Sequence, residues 1–208
     1  MIIMDFDGTL VNSIPPAIDA VQEMLAQLKY PIKSKVEIAS YVGFGEKALV
    51  EGAIGTQDKK KVIVAQDKYY EIYSQKLKTI PLYPHIEEFL VFVKNKINIV
   101  FSNKRDEFIS IILKQHKVDT IFKEIIGGDS ARSLKPDPTQ VLELLAKYKI
   151  DRTKALFIGD MVIDVETGKN SQIHTCAVAY GFDPLEKLKA SQPDYLINDI
   201  LELKNIIS

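Results

Sequence analysis

The chain has 208 residues, 46% hydrophobic and 26% charged, and its 27 Lys and Arg against 28 Asp and Glu give a formal net charge of −1. That length buries a full core without staples, the near-neutral balance supplies no basic face for nucleic acid, and the ordinary Gly and Pro content argues against disorder or a fibrous repeat. The single cysteine, Cys176, excludes an intramolecular disulfide framework and points to a reducing, cytoplasmic compartment.

No apolar run approaches the roughly 18 to 20 residues of a membrane helix. Met1-Ile2-Ile3-Met4-Asp5-Phe6-Asp7 carries acids where a signal peptide needs a basic start. A soluble protein with neither membrane nor nucleic-acid partner is expected. Composition leaves the oligomeric state open.

The first element is the apolar run Ile2-Ile3-Met4, a buried strand. Ser13 followed by Pro15-Pro16 signals a helix start, and Ile14, Ala17, Ile18, Val21, Leu25 and Leu28 fall on one helical face. A second helix is expected near Glu46, after Gly43-Phe44-Gly45. A third, from about Gln57 to Lys78, carries Ile63, Tyr70, Tyr73 and Leu77. Lys59-Lys60-Lys61 within it reads as a solvated face. No strand is expected between Ser13 and Pro81, and Asn12–Pro15 and Ile80–Pro84 are candidate hinges around this helical insertion.

Downstream, Ile97–Phe101, Ala155–Ile158 and Thr175–Ala179 are continuous apolar runs, separated by helical patterns such as Phe108, Ile111, Ile112 and Val141, Leu144, Leu145. Apolar strands alternating with helices predict an α/β fold, a doubly wound, mainly parallel sheet covered on both faces. The expected division is a core of residues 1–13 and 82–208 with a helical cap over 14–81. Residues 14–81 hold ten Lys and Arg and eight Asp and Glu, so the acidic excess belongs to the core.

Four short segments carry candidate chemistry. Asp5-Phe6-Asp7-Gly8-Thr9-Leu10 follows the first strand, placing two carboxylates where the chain leaves the sheet. Ligands of open parallel sheets bind outside the carboxyl ends of the strands, and paired acids there repel unless a hard cation such as Mg2+ neutralises them. Alone, the segment serves equally as an Asp-Gly turn. Gly159-Asp160-Met161-Val162-Ile163-Asp164 repeats the pattern after another strand, with helix capping as the alternative for both acids. Ser102-Asn103-Lys104 offers a hydroxyl and backbone N–H groups for an anion, or an ordinary helix cap. Lys135-Pro136 presents one cation, or a surface lysine before a turn. His85, His116 and His174 show no metal-ligand spacing.

Taken in order, these segments resemble the four motifs of the haloacid dehalogenase-like hydrolases: Asp-x-Asp-Gly-Thr-Leu, a Ser or Thr at a strand end, Lys-Pro, and Gly-Asp-x-x-x-Asp. Val42-Gly43-Phe44-Gly45, Leu82-Tyr83-Pro84, Gly127-Gly128-Asp129-Ser130 and Tyr180-Gly181-Phe182 are similar to segments of phosphoglycolate phosphatases and their pyrophosphatase relatives. Asn12, Met161 and Asn170-Ser171 depart from that pattern. The resemblance implies a Mg2+-dependent hydrolase of a small phosphorylated metabolite, with Asp5 as nucleophile and Asp7 as general acid and base. Ser102 and Lys135 would stabilise the phosphoryl group, with Gly8, Thr9, Asn103, Gly43 and Lys47 against substrate. Asp5, the carbonyl of Asp7, Asp160 and Asp164 would hold the metal. A sugar-phosphate or nucleotide phosphatase, a pyrophosphatase, a phosphomutase, and a non-catalytic phosphoacceptor or binding domain are the alternatives.

Overall fold

The computed structural model describes residues 1–207. Short apolar runs form six strands: β1 (Ile2–Met4), β2 (Asn98–Phe101), β3 (Glu124–Ile126), β4 (Leu156–Gly159), β5 (His174–Val178) and β6 (Tyr195–Ile197). All pair in parallel in the order β3-β2-β1-β4-β5-β6. β1, β2 and β4 are buried throughout, which explains why they read as unbroken apolar runs. The alternating pleat sends successive residues to opposite faces. Ile3, Ile99 and Phe157 pack one way with Val141, Leu144 and Leu145. Met4, Val100 and Ile158 pack the other way with Phe89, Phe108 and Ile112.

The edge strands β3 and β6 were not legible as strands. Each has three residues, two of them only half buried, so neither carries a continuous apolar signature.

Between β1 and the remaining strands run α1 (Ile14–Gln27), α2 (Lys35–Ala39), α3 (Glu46–Ile54) and α4 (Lys59–Lys76). The expected face of α1 is buried, apart from the half-buried Leu28 at its end, and Ala20 and Met24 join it. α2 is a single short turn of helix with one buried residue, Ile38, too brief to leave a periodic pattern. In α4 the buried stripe is Val62, Ala65, Tyr69, Ile72 and Tyr73, so Ile63, expected inward, is 57% exposed. Asp58 caps this helix through the N–H groups of Lys60 and Lys61, and the three lysines at its start are exposed.

The two connections flanking the insertion run side by side. Asn12 N–H donates to Pro81 O and Tyr83 N–H to Leu10 O, each at 3.0 Å, around an antiparallel bridge of Val11 with Leu82. The remaining helices are α5 (Ile86–Val93), α6 (Asp106–Gln115), α7 (Thr139–Tyr148), α8 (Val162–Asn170) and α9 (Leu185–Ala190). No helix among the described residues is long and apolar enough to cross a membrane.

Candidate active site

The sheet order reverses at β1. The chain winds outward on one side through β2 and β3 and on the other through β4, β5 and β6, so the carboxyl ends of β1 and β4 are neighbours at the switch point. Met4 is in register with Ile158, and Asp5 N–H donates to Ile158 O at 2.8 Å. Asp5 and Asp160, which follow these strands, are thereby brought together although far apart in sequence.

Asp164 joins them from the first turn of α8. Carboxylate oxygens of Asp5, Asp160 and Asp164 lie within 4.8 Å of one another, and all three residues are buried. Lys135 alone stands between them as a cation: its Nζ is 2.6 Å from Asp5 Oδ1 and 2.6 Å from Asp164 Oδ1. Although burial works against its charge, the carboxylates of Asp164 and Asp5 hold the Lys135 ammonium above its ordinary range. Burial, only partly offset by Lys135, pushes the Asp5 carboxyl up to about 7. Asp160 is raised well above the carboxylate range, by burial first and then by Asp164 and Asp5.

Each acid is held by its surroundings. Asp160 accepts the Thr9 hydroxyl at 2.8 Å and the Phe182 N–H at 2.7 Å. Asp164 accepts the Met161 N–H at 3.0 Å. Gly8 lies at φ +81°, and a Cβ there would sit 2.1 Å from Asp160 Oδ2, so only glycine satisfies both the backbone and the space.

Three carboxylates against one ammonium leave a negative, all-oxygen cluster, and Asp5 Oδ1 makes no aligned hydrogen bond despite its close contact with Lys135. That donor set fits a hard divalent cation such as Mg2+. An isolated cluster of buried like charges is otherwise costly.

Asp7 faces elsewhere. Its carboxylate accepts the Ser13 hydroxyl and sits 3.1 and 3.2 Å from Lys104 Nζ, outside the triad of acids. Lys104 is buried, with Nζ 4.5 Å above the Tyr73 ring. Against the cost of burial, Asp7 and then Tyr73 carry its ammonium well above the ordinary lysine range. Beside it, Glu46 accepts the Arg105 N–H at 3.0 Å, and burial raises its carboxyl despite Lys104. Lys104 and Glu46 were missed as site residues. Lys104 belongs to the Ser102-Asn103-Lys104 segment, but its bond to Asp7 spans 97 positions and no local pattern announces it.

A cavity of about 60 Å3 joins Asp5 and Lys135 to Asp7, Lys104 and Glu46. Asp5, Asp7, Ser102 and Lys135 line its floor, and Val42, Gly43, Gly45 and Glu46 close it from the insertion. Other expected contacts are placed differently. Thr9 is fully buried with its hydroxyl on Asp160, so it and Gly8 shape that acid and do not face the cavity. Asn103 reaches the cavity, but its amide is engaged: Nδ2 donates to Gly43 O at 2.8 Å and Oδ1 accepts the Lys135 N–H at 2.9 Å. Lys47 does not line the cavity. Its side chain is 71% exposed and faces Glu51 at 3.7 Å, because on α3 it lies about 100° round from the inward Glu46.

Ser13 sits at the start of α1 as expected, but its hydroxyl serves Asp7 and makes no cap bond. His85 pairs with Asp199 at 2.6 Å, His116 contacts Ile80 O at 2.8 Å, and neither is near the acids. Cys176 is buried in β5, where burial pushes its thiol up to about 12.

A family model described as haloacid dehalogenase-like hydrolase matches residues 2–178. A phosphoglycolate phosphatase of Nitrosococcus oceani is 29% identical over 100% of this chain and 96% of its own length. One of Psychrobacter arcticus is 32% identical, covering 98% of this chain and 93% of its own. Among solved structures, a predicted phosphoglycolate phosphatase from Haemophilus somnus superposes with a TM-score of 0.93 at 25% identity, over 100% of this chain and 97% of that one.

Proposed function

This chain belongs to the haloacid dehalogenase-like hydrolases, and on that premise we propose that it is a Mg2+-dependent phosphatase of a small phosphate monoester, of the phosphoglycolate phosphatase kind. The observation that carries this reading is the buried triad of Asp5, Asp160 and Asp164 with Lys135 at the sheet's switch point, whose Asp5 and Lys135 share one cavity with Asp7 and Ser102.

Asp5, Asp160 and Asp164, with the Asp7 carbonyl, would hold Mg2+. Bound there, the ion supplies charge neutralisation and orientation for a phosphoryl oxygen. Lys135 works against the burial that raises the Asp5 carboxyl, and it aims that group. Asp5 attacks phosphorus, the bond to the leaving oxygen breaks, and an aspartyl-phosphate forms. In its protonated form Asp7 gives a proton to the departing alkoxide; as the carboxylate it then takes one from the water that attacks the same phosphorus, releasing inorganic phosphate and regenerating Asp5. Ser102 and Lys135 meet the charge on the transferred group. Asn103 serves by fixing the Lys135 backbone and the Gly43 loop.

Helices α1 to α4 act as a cap over residues 14–81, excluding bulk water from the acyl-phosphate. Three consecutive residues after β2 grip it: Asn103 through Gly43, Lys104 through the Tyr73 ring, and Arg105 through Glu46 and the Tyr70 ring, 4.5 Å from its guanidinium.

The test is a panel of phosphorylated compounds assayed for inorganic phosphate with Mg2+ and with chelator. Mg2+-dependent multiple turnover on compact monoesters, phosphoglycolate foremost, is expected. Transfer of the phosphoryl group to product without phosphate release would replace the reading with a phosphomutase. Cleavage of pyrophosphate alone would make it a pyrophosphatase.

A further inference from the structure

Asp5 and Lys135 mark the reacting end of the cavity, and the loop before α3 lines the side contributed by the insertion, where Gly43 and Met161 meet. Gly43 lies at φ +98°, and a Cβ built on it would be 2.7 Å from Met161 Cε and 2.8 Å from Met161 Sδ. The thioether end of Met161 therefore occupies the volume that any other residue at 43 would need. Both line the cavity, and Met161 is only 8% exposed. The Gly43 carbonyl is held from the opposite side by Asn103 Nδ2 at 2.8 Å, so the loop has little freedom to retreat from the methionine.

The cavity that both residues line is small, about 60 Å3. Where the loop before α3 meets the core, Met161 is the side chain that can yield and Gly43 has none to give. A methionine has three rotatable bonds and adapts to irregular gaps, which suits a partition that yields to small groups and resists large ones.

We propose that Met161, closed against Gly43, is the residue that limits the size of the leaving group, restricting the enzyme to compact phosphate monoesters. The assignment rests on the phosphatase reading as far as a leaving group is concerned, but the partition itself concerns binding. Met161 meets the loop before α3 and not the reacting atoms, so its truncation acts on selectivity before rate.

The experiment compares wild type, Met161→Ala and Met161→Leu in Mg2+, using calorimetric binding of methylphosphonate and phenylphosphonate, two non-hydrolysable analogues of different bulk. Met161→Ala should tighten phenylphosphonate about tenfold, the scale set by one or two methylenes in a tight pocket. Methylphosphonate affinity should stay within about twofold, and Met161→Leu should keep the wild-type ratio. In turnover, kcat/KM for phenyl phosphate relative to phosphoglycolate should rise by a similar factor, through KM. An unchanged or reduced phenyl-to-methyl ratio in Met161→Ala, with both ligands bound, would overturn the proposal. A wild type that binds both phosphonates yet hydrolyses no monoester would instead refute the phosphatase reading and leave the partition standing.

Discussion

Replacing Lys135 by Met tests the electrostatic core of the site. Lys135 Nζ lies 2.6 Å from both Asp5 Oδ1 and Asp164 Oδ1, with its side chain 2% exposed. At an effective dielectric constant of about 20, each such contact is worth about 6 kcal/mol of gross attraction. Much of that offsets the desolvation of three charges, so the net value of the arrangement is small. Removing one partner is different, because it leaves buried carboxylates uncompensated, and that costs about 3–5 kcal/mol.

The loss should depend on pH. Asp5 titrates in the folded state at about 7, above its ordinary 3.8, even with Lys135 in place. The native state therefore binds more protons than the unfolded chain between those values, and the stability this confers is complete below about 4 and lost as pH rises through about 7. Without Lys135 the carboxylates hold protons more tightly still. Urea unfolding of metal-free wild type and Lys135→Met at pH 5 and pH 8 reads the effect. The variant should lose about 3–5 kcal/mol at pH 8, clearly less at pH 5, and regain part of the loss in Mg2+. A loss under about 1 kcal/mol at both pH values would refute the account of Lys135 as the balancing charge.

Asp5→Asn removes the attacking oxygen's charge and should abolish turnover while the protein still folds; robust Mg2+-dependent hydrolysis by this variant would dismiss Asp5 as nucleophile. Lys104→Met leaves Asp7 with only the Ser13 hydroxyl, and loss of an oriented acid and base should lower kcat by about 10²-fold; steady-state rates unchanged within a factor of about three would show that Lys104 does not position Asp7. Lys47→Ala should leave kcat/KM within about twofold, since an exposed pair such as Lys47 with Glu51 is worth at most about 1 kcal/mol. A change confined to anionic leaving groups would restore Lys47 to the substrate site.

Much of the site was legible because its acids sit where strands end. Asp5 and Asp160 stand where apolar runs end, and parallel sheets put their ligands at those ends, so their place in the fold was readable, although each segment alone served equally as a turn or a helix cap. The helical insertion was equally readable, since nothing between Ser13 and Pro81 alternates like a strand. The edge strands β3 and β6 and the one-turn α2 were not, because short, half-buried elements have too few apolar residues to show a period.

What lay in the order of residues was the chemical inventory: which groups stand at the strand ends, and hence a parallel sheet with acids and one lysine at its mouth. Direction was a different matter. Whether Asp7 joins the other acids or turns to Lys104, whether Thr9 and Asn103 face a substrate or hold their neighbours, and whether Lys47 looks in or out depend on partners up to 151 residues away. Local sequence sets the backbone on which a side chain stands, but its rotamer is chosen by the packing and hydrogen bonds of distant segments, and those exist only once the chain has closed on itself.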